Sequence, residues 1–426
     1  MSDKKNVFVF YLFMLLFISN GFTQTRISSP YSRYGLGDLL NNKYLRNISM
    51  GGISYAFNNP CGINYSNPAS YTAFDTTSFV FETGVNSNIV QLNSKSLSQK
   101  SSYTSLAYIM LGFPVAKWWG ASVGLLPYSS VGYKISDEET IVNIGRQECL
   151  YEGSGGLNQF YLGNAFKINK NLSVGFNTAF LFGSLDKTNT VTFPDSSNYL
   201  AVRLFNSTKI NDFLFTYGLQ YQKSLKNDVK LRFGLVYNAS ANFSARQDSL
   251  AYRFFLASNG QESNRDTIVN SDDTKGVVAL PHGLGGGFTI GITDRWLAGM
   301  DYQSQNWEKF SAFGEKDSLK NSWTASVGAE FTPKNTAVSG YWKKVHYRLG
   351  ARYNKTYLQL KNNQLEEIAV SFGFGLPLKR SKTSVNLGFE LGQRGTTQDN
   401  LIKENFGRIL FSLSVYERWF IKRRFE

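Results

Sequence analysis

The chain has 426 residues, a formal net charge of +14, 42% hydrophobic residues, two cysteines and two histidines. So few cysteines and histidines, widely spaced, offer no metal centre, and no nucleophile, base and orienting group form the constellation an enzyme requires, so no metal, cofactor or catalysis is expected. The basic charge does not gather on one helix or sheet face, which speaks against nucleic acid as a partner.

The first element is a leader. Lys4 and Lys5 precede an apolar run from Val7 to Ile18, and a small-residue site at Gly21 and Thr23 leaves Gln24 as the mature N-terminus. The run is too short to span a bilayer comfortably, so residues 1–23 read as a secretory signal peptide. No cysteine lies near the cleavage site, which argues against a lipoprotein. No later stretch is apolar enough for a transmembrane helix, so an exported chain with lipid-compatible strands belongs in a bacterial outer membrane.

Residues 24–78 show no alternation and are rich in Tyr, Asn, Ser and Gly. From 79 to 417 the pattern has period two. Between Asn171 and Ser184, for example, Leu172, Val174, Phe176, Phe180 and Phe182 share one parity, and Ser173, Gly175, Asn177, Ala179 and Gly183 the other. Successive side chains of a strand point to opposite faces, so one face is apolar and the other small or polar. Such segments predict strands near 79–93, 101–116, 120–135, 157–168, 171–186, 209–223, 228–244, 282–293, 296–309, 320–333, 344–358, 366–376, 383–394 and 405–417. The fold class is therefore all-β: a transmembrane antiparallel barrel of about 14 strands. A lumen of that width cannot be filled by wall side chains alone, so residues 24–78 are expected to form an N-terminal plug. Residues 418–426 are left as a periplasmic tail.

The connections orient the barrel. They are very short at Asn169-Lys170, Lys226-Asn227 and Thr293-Asp294-Arg295, and long at 136–156, 187–208 and 245–281. Short turns are periplasmic and long loops external. The tryptophans fall at strand ends, Trp118, Trp119, Trp296, Trp342 and Trp419 at the periplasmic side and Trp307 and Trp323 at the external side, as aromatic girdles require. The periplasmic rim is basic, with Lys117, Lys167, Lys170, Lys226 and Arg295 among its residues. This reads as solvation and attraction to phospholipid head groups, or as a rim for docking a partner. Cys61 falls near the plug and Cys149 in an external loop, which gives a disulfide little support.

Inward parity puts Glu82, Lys230, Arg232, Asp301, Glu330, His346, Arg348, Arg352, Glu390 and Arg408 in the lumen. Antiparallel pairing would set Glu330 near Arg348 and Glu390 near Arg408. Such pairs stabilise a wall or hold a plug; a polar path for solute is the alternative. The run Gly283-Leu284-Gly285-Gly286-Gly287 after His282 is no phosphate loop, because no helix follows it. Its glycines leave room for the plug to approach the wall.

Met50-Gly51-Gly52, followed by Asn67-Pro68-Ala69, resembles the N-terminal hatch of the long-chain fatty-acid transporter family, the FadL/TodX barrels, whose relatives include barrels that shuttle type 9 secretion cargo. The resemblance implies fourteen strands, a plug, and a kinked third strand that opens a lateral gap beside the Asn-Pro-Ala segment. Pro127 lies in the third predicted strand and cannot donate to the ladder. By this resemblance Asn67, Pro68, Ala69 and Pro127 would form a substrate gate. The plainer reading of Asn67-Pro68-Ala69 is a turn. The C-terminal Glu417-Arg418-Trp419-Phe420-Ile421-Lys422-Arg423 also looks like the end of related barrels, although Glu426 follows Phe425 where the family ends on an aromatic.

Two functions remain open. One is a gated conduit for hydrophobic small molecules such as long-chain fatty acids, which the resemblance implies. The other is a non-conducting plugged barrel serving as an accessory subunit of a larger outer-membrane secretion or assembly complex. Partners are accordingly outer-membrane lipid, a hydrophobic ligand or other proteins of such a complex.

Overall fold

The computed structural model describes residues 29–40, 43–196, 199–256, 261–317, 319–334, 340–379 and 381–418. The expected leader and residues 419–426, with Trp419, lie outside them.

The strands close into one antiparallel barrel of fourteen spans. A two-residue strand, β1 (Asp38–Leu39), precedes the wall. The first two spans are β2 (Ser78–Asn93) and β3 (Ser98–Ala116). The third is β4 (Trp119–Ser130), continued by β5 (Tyr133–Ile141). Next come β6 (Gly145–Lys167), β7 (Leu172–Thr192) and β8 (Ala201–Ser224). The seventh joins β9 (Val229–Asn238) to β10 (Ala241–Leu256), and the eighth β11 (Glu262–Leu280) to β12 (Gly283–Ile292). β13 (Trp296–Gln305) with β14 (Ser311–Ala312) makes the ninth. The last five are β15 (Ser322–Phe331), β16 (His346–Leu360), β17 (Asn363–Pro377), β18 (Ser384–Arg394) and β19 (Lys403–Arg418). β19 pairs with β2 from Lys403↔Asn93 to Arg418↔Ser78 and closes the ring.

Parity sorts the two faces. Phe176 and Phe180 point outward, while Asn177 between them is buried. Leu162, Phe233, Leu235, Leu349 and Leu391 are likewise exposed on the outer face. In water this would be a large apolar patch; against hydrocarbon it costs nothing and leaves every wall hydrogen bond inside a closed sheet.

The three long connections expected to be external are not loops. β5 pairs with β6 from Tyr133↔Gly153 to Ile141↔Gly145, β7 with β8 as far as Val191↔Val202, and β10 with β11 from Ala241↔Leu280 to Leu256↔Glu262. The wall thus rises on one side into a tall sheet beyond the apolar belt. There the outer face meets water in place of lipid, so polar residues replace the alternation that marks a lipid-facing strand, while Ala201, Ala251 and Phe254 stay buried on the inner face. Cross-strand ion pairs take over: Lys209–Asp248 at 2.8 Å, Arg203–Glu262 at 2.8 Å, Arg246–Asp273 at 3.0 Å, and Arg253 with Asp266. Exposed pairs of this kind are weak, because solvent and salt screen them.

The described residues between 29 and 77 lie within the ring and supply much of its core. Tyr31, Tyr44, Met50, Ile53, Ile63 and Tyr71 are all buried. The segment runs the length of the lumen. At the external end the N–H of Ser29 donates to the carbonyl of Gly132 at 3.2 Å. Midway, Met50 packs on Gly328 and Gly350 so closely that a Cβ on either glycine would collide with its backbone. At the turn end Asp75 meets Lys382 at 2.7 Å. Trp307 joins this core and not the outer girdle. It is 1% exposed and stacks on Tyr357 with ring centroids 4.5 Å apart, because the turn Trp307–Lys309 folds inward.

Candidate functional site: the hatch, the third-strand seam and two chambers

The Gly51-Gly52 pair has a local cause. Both residues have positive φ, +67° and +88°, in the left-handed region where a side chain is strained. That turn brings the N–H of Gly51 to Ser371 Oγ at 2.9 Å. The short helix Leu45–Ile48 just before it carries Arg46 into the barrel axis.

The lumen charges gather in separate clusters along the barrel. Arg46 Nη2 and Arg348 Nε both reach Glu330, at 2.6 and 2.7 Å, and Arg348 Nη1 donates to Asn386 Oδ1 at 2.8 Å. Asp301 Oδ2 accepts the N–H groups of Ser54 and Tyr55 at 2.6 and 3.0 Å. Glu390 takes Arg352 at 3.0 Å and Arg408 at 2.6 Å, and Arg352 also reaches Glu367 at 2.7 Å. Glu82 is fully buried beside Gly62. His346 Nδ1 shares a hydrogen bond of 2.7 Å with Thr332 Oγ1. Removing one partner of a buried pair leaves an uncompensated charge and costs about 3–5 kcal/mol, so Arg46–Glu330 ties the hatch to the wall while the Glu390 set braces the wall itself.

Asn67 caps the short turn Pro68–Ala73 through Ala69 N–H at 3.1 Å, and its amide donates to the carbonyls of Tyr55 at 2.6 Å and Leu219 at 3.2 Å. Pro68 fills the space opened by Gly175 on β7 and Gly218 on β8. The Asn67-Pro68-Ala69 turn therefore does not lie beside Pro127. A different part of the hatch does.

The ladder between β3 and β4 runs from Ala116↔Trp119 only to Ile109↔Leu125. Beyond Leu125 the two spans part, and the hatch strand β1 takes the vacated edge of β4. Asp38 pairs with Ser130, Leu39 with Ser129, and the Leu40 N–H donates to the Tyr128 carbonyl at 3.0 Å. Pro127 sits at the fork, next to a bulge in the β4–β6 ladder between Pro127 and Ser129. β1 is tied to the far wall by Arg394, whose guanidinium meets Asp38 at 2.9 Å and Glu404 at 2.8 Å. No sequence signal marks a two-residue strand. The inward parity of Arg394 and Glu404 was the one available clue.

The hatch separates two chambers. The upper one, about 290 Å³, lies between β1 and the parted strands and is lined by Leu39, Leu40, Tyr103, Leu126, Pro127 and the paired Arg352, Arg394 and Arg408. The lower one, about 760 Å³, opens at the turn end and is lined by Arg46, Arg348 and cations of the short turns. Cys61 also lines it. Burial pushes that thiol up to about 11, so it stays protonated at neutral pH. Cys61 and Cys149 are both free. Among the described residues, no group of His, Cys, Asp and Glu is arranged to hold a metal ion.

The family model described as BamG matches residues 4–426. No curated protein matches the chain. Among solved structures, a Pseudomonas aeruginosa FadL homologue is similar at 11% identity and TM-score 0.58, over 90% of this chain and 100% of that one. The Ralstonia pickettii toluene transporter TbuX is similar at 14% identity and TM-score 0.58, over 88% and 97%. The Pseudomonas putida toluene transporter TodX is similar at 15% identity and TM-score 0.57, over 91% and 100%. At these identities the likeness is one of fold.

Proposed function

The chain belongs to the BamG family, and on that premise we propose that it is a hatch-sealed outer-membrane barrel serving as a subunit of a larger outer-membrane assembly. The observation that carries this reading is the layer between the chambers. Arg46, Glu330 and Arg348 join hatch to wall across the axis, with buried Met50 and Ile53 packed beside them. An axial pore would have to break buried ion pairs to open. The tall external sheet supports the same reading, since a conduit needs no such structure and a docking subunit gains surface from it. The BamG family itself points toward assembly. Export through a cleaved leader and residence in the bacterial outer membrane belong to this proposal. The test is purification from native envelopes in mild detergent, with single-channel recording in planar bilayers. A protein partner in fixed ratio and a silent bilayer are expected. A steady conductance from partner-free protein would overturn the reading.

A second reading rests on the seam. The parted strands at Leu125 and Pro127, beside a partly apolar chamber, offer a sideways exit into lipid for a hydrophobic molecule such as a long-chain fatty acid. The similar structures TbuX and TodX are toluene transporters. Here Pro127 belongs to the exit, while Asn67, Pro68 and Ala69 anchor the hatch. Cysteines at Asp38 and Ser130, oxidised to a bridge, would lock β1 in the fork. Uptake that survives the lock excludes this route.

A further inference from the structure

The lower chamber holds more positive charge than its own carboxylates answer. Nine lysines and arginines line it against Asp75, Asp294 and Glu330. Glu330 is engaged by Arg46 and Arg348, and Asp75 by Lys382. Among the described residues, no ion pair is formed by Lys117, Lys167, Lys170, Lys230, Arg232 or Arg295. Arg232 Nε is committed to Gln222 Oε1 at 2.8 Å, a neutral acceptor. The cations are also tiered. Lys117, Lys170 and Arg295 stand on the rim turns, whereas Lys230 and Arg232 point into the lumen from β9, opposite Gly291 and Thr289.

Three ligand classes compete for such a basin. Membrane lipid meets the outer face of the wall, and head groups at the rim do not reach Lys230 and Arg232 inside it. A single small anion does not span the cluster. From the β3–β4 turn to the β12–β13 turn the wall crosses β6, β7, β8 and β9, an arc of roughly 24 Å at about 4.8 Å per strand spacing. An extended polypeptide covers that arc with about seven residues at roughly 3.3 Å each. We propose that the periplasmic basin docks an extended acidic segment, about seven residues long, of a periplasmic partner protein. This deepens the assembly reading and rests on it. The long-range field of a one-sign cleft would also speed the encounter and make it salt-sensitive.

The test uses the full chain in detergent micelles and a fluorescein-labelled octaglutamate peptide, followed by anisotropy at low salt, with a serine-glycine octapeptide as control. Saturable binding that weakens as salt rises is expected, with at least a tenfold loss in the Lys230→Glu/Arg232→Glu double variant. The Lys230→Gln/Arg232→Gln variant keeps the question open to test if charge reversal prevents folding, and should lose severalfold. Lys100→Glu, at the opposite end of the barrel, should leave binding unchanged. The inference is overturned if the peptide does not bind, if Lys100→Glu weakens binding as much, or if millimolar inorganic phosphate or vesicles of anionic phospholipid displace the peptide fully. Native co-purification separates the two claims. A partner retained by both wild type and double variant leaves the assembly reading standing and removes the acidic-segment inference. If the peptide binds but no partner accompanies the wild type, the assembly reading falls.

Discussion

The two chambers on either side of the hatch are both lined by arginine, yet they use it differently. In the upper chamber each guanidinium is answered: Arg352 by Glu367 and Glu390, Arg394 by Asp38 and Glu404, Arg408 by Glu390. In the lower chamber most cations have no carboxylate at all. A buried charge must be matched inside the protein because water cannot match it. A cation at an open mouth is hydrated and can wait for a ligand. The upper set therefore holds the fold together, and the lower set is available for recognition.

The sharpest way to break this contrast is Glu390→Gln. It strips the shared acceptor from Arg352 and Arg408, and should cost about 3–5 kcal/mol in urea unfolding followed by tryptophan fluorescence. A loss below about 1 kcal/mol, the range of exposed pairs, would mean that the upper charges are no more structural than the lower ones. Phe180→Arg sets the scale from outside the barrel, with about 2–4 kcal/mol expected if the site lies near the bilayer midplane. Parity alone predicts that Arg at Asn177 is mild, but the structure says otherwise. Asn177 accepts from Tyr71 Oη and donates to the Tyr65 carbonyl, both at 3.0 Å, so a larger side chain there must displace the hatch.

Asp38→Asn keeps the shape of β1 but removes one of the two carboxylates on Arg394. About 1–3 kcal/mol is expected, together with faster maleimide labelling of a cysteine placed at Leu39. Unchanged labelling would show that backbone pairing alone holds β1 in the fork. Lys230→Gln, in the lower chamber, should change stability by no more than about 0.5 kcal/mol; a larger loss would move that lysine into the structural set. The smallest effect is expected of acid. Burial raises the Asp75 carboxyl, but hydrogen bonds from Lys382 and Tyr416 outweigh it and hold the group below its ordinary value. Its contribution is thus full above that ordinary value and disappears as pH falls through the depressed one. Hydrogen exchange of residues 72–78 should be slower in wild type than in Lys382→Gln at neutral pH, and the difference should close as pH falls through that window. Equal rates at neutral pH would show that the tie contributes nothing.

The barrel was legible because lipid imposes a simple rule. Outward residues such as Phe176, Phe233 and Leu235 must be apolar, and a period of two makes them visible. Where lipid ends the rule ends, and the strand extensions 201–210 and 262–277 read as loops because water tolerates any side chain on the outer face. Trp307 shows a second limit. Its position at a strand end fits a girdle, but only the inward fold of its turn reveals that it belongs to the hatch core. The seam shows a third. Pro127 marks the fork in a way the chain alone displays, while the segment beside it, Asp38–Leu40, is too short for a pattern. Its place is set by the remote residues Arg394, Ser129 and Ser130.

The closing seam carries one more consequence. The hatch precedes β2 in the chain, and its described beginning at Ser29 lies at the far end of the ring from Ser78. A finished cylinder would admit that segment only by threading it past the inward side chains of Glu330 and Arg348. The alternative is capture: the hatch settles on an open sheet, reading Gly234, Gly328 and Gly350 as sockets, and β19 then fastens to β2 as a clasp around it. In that order the C-terminal strand would be the last to engage, fastening around a hatch already seated.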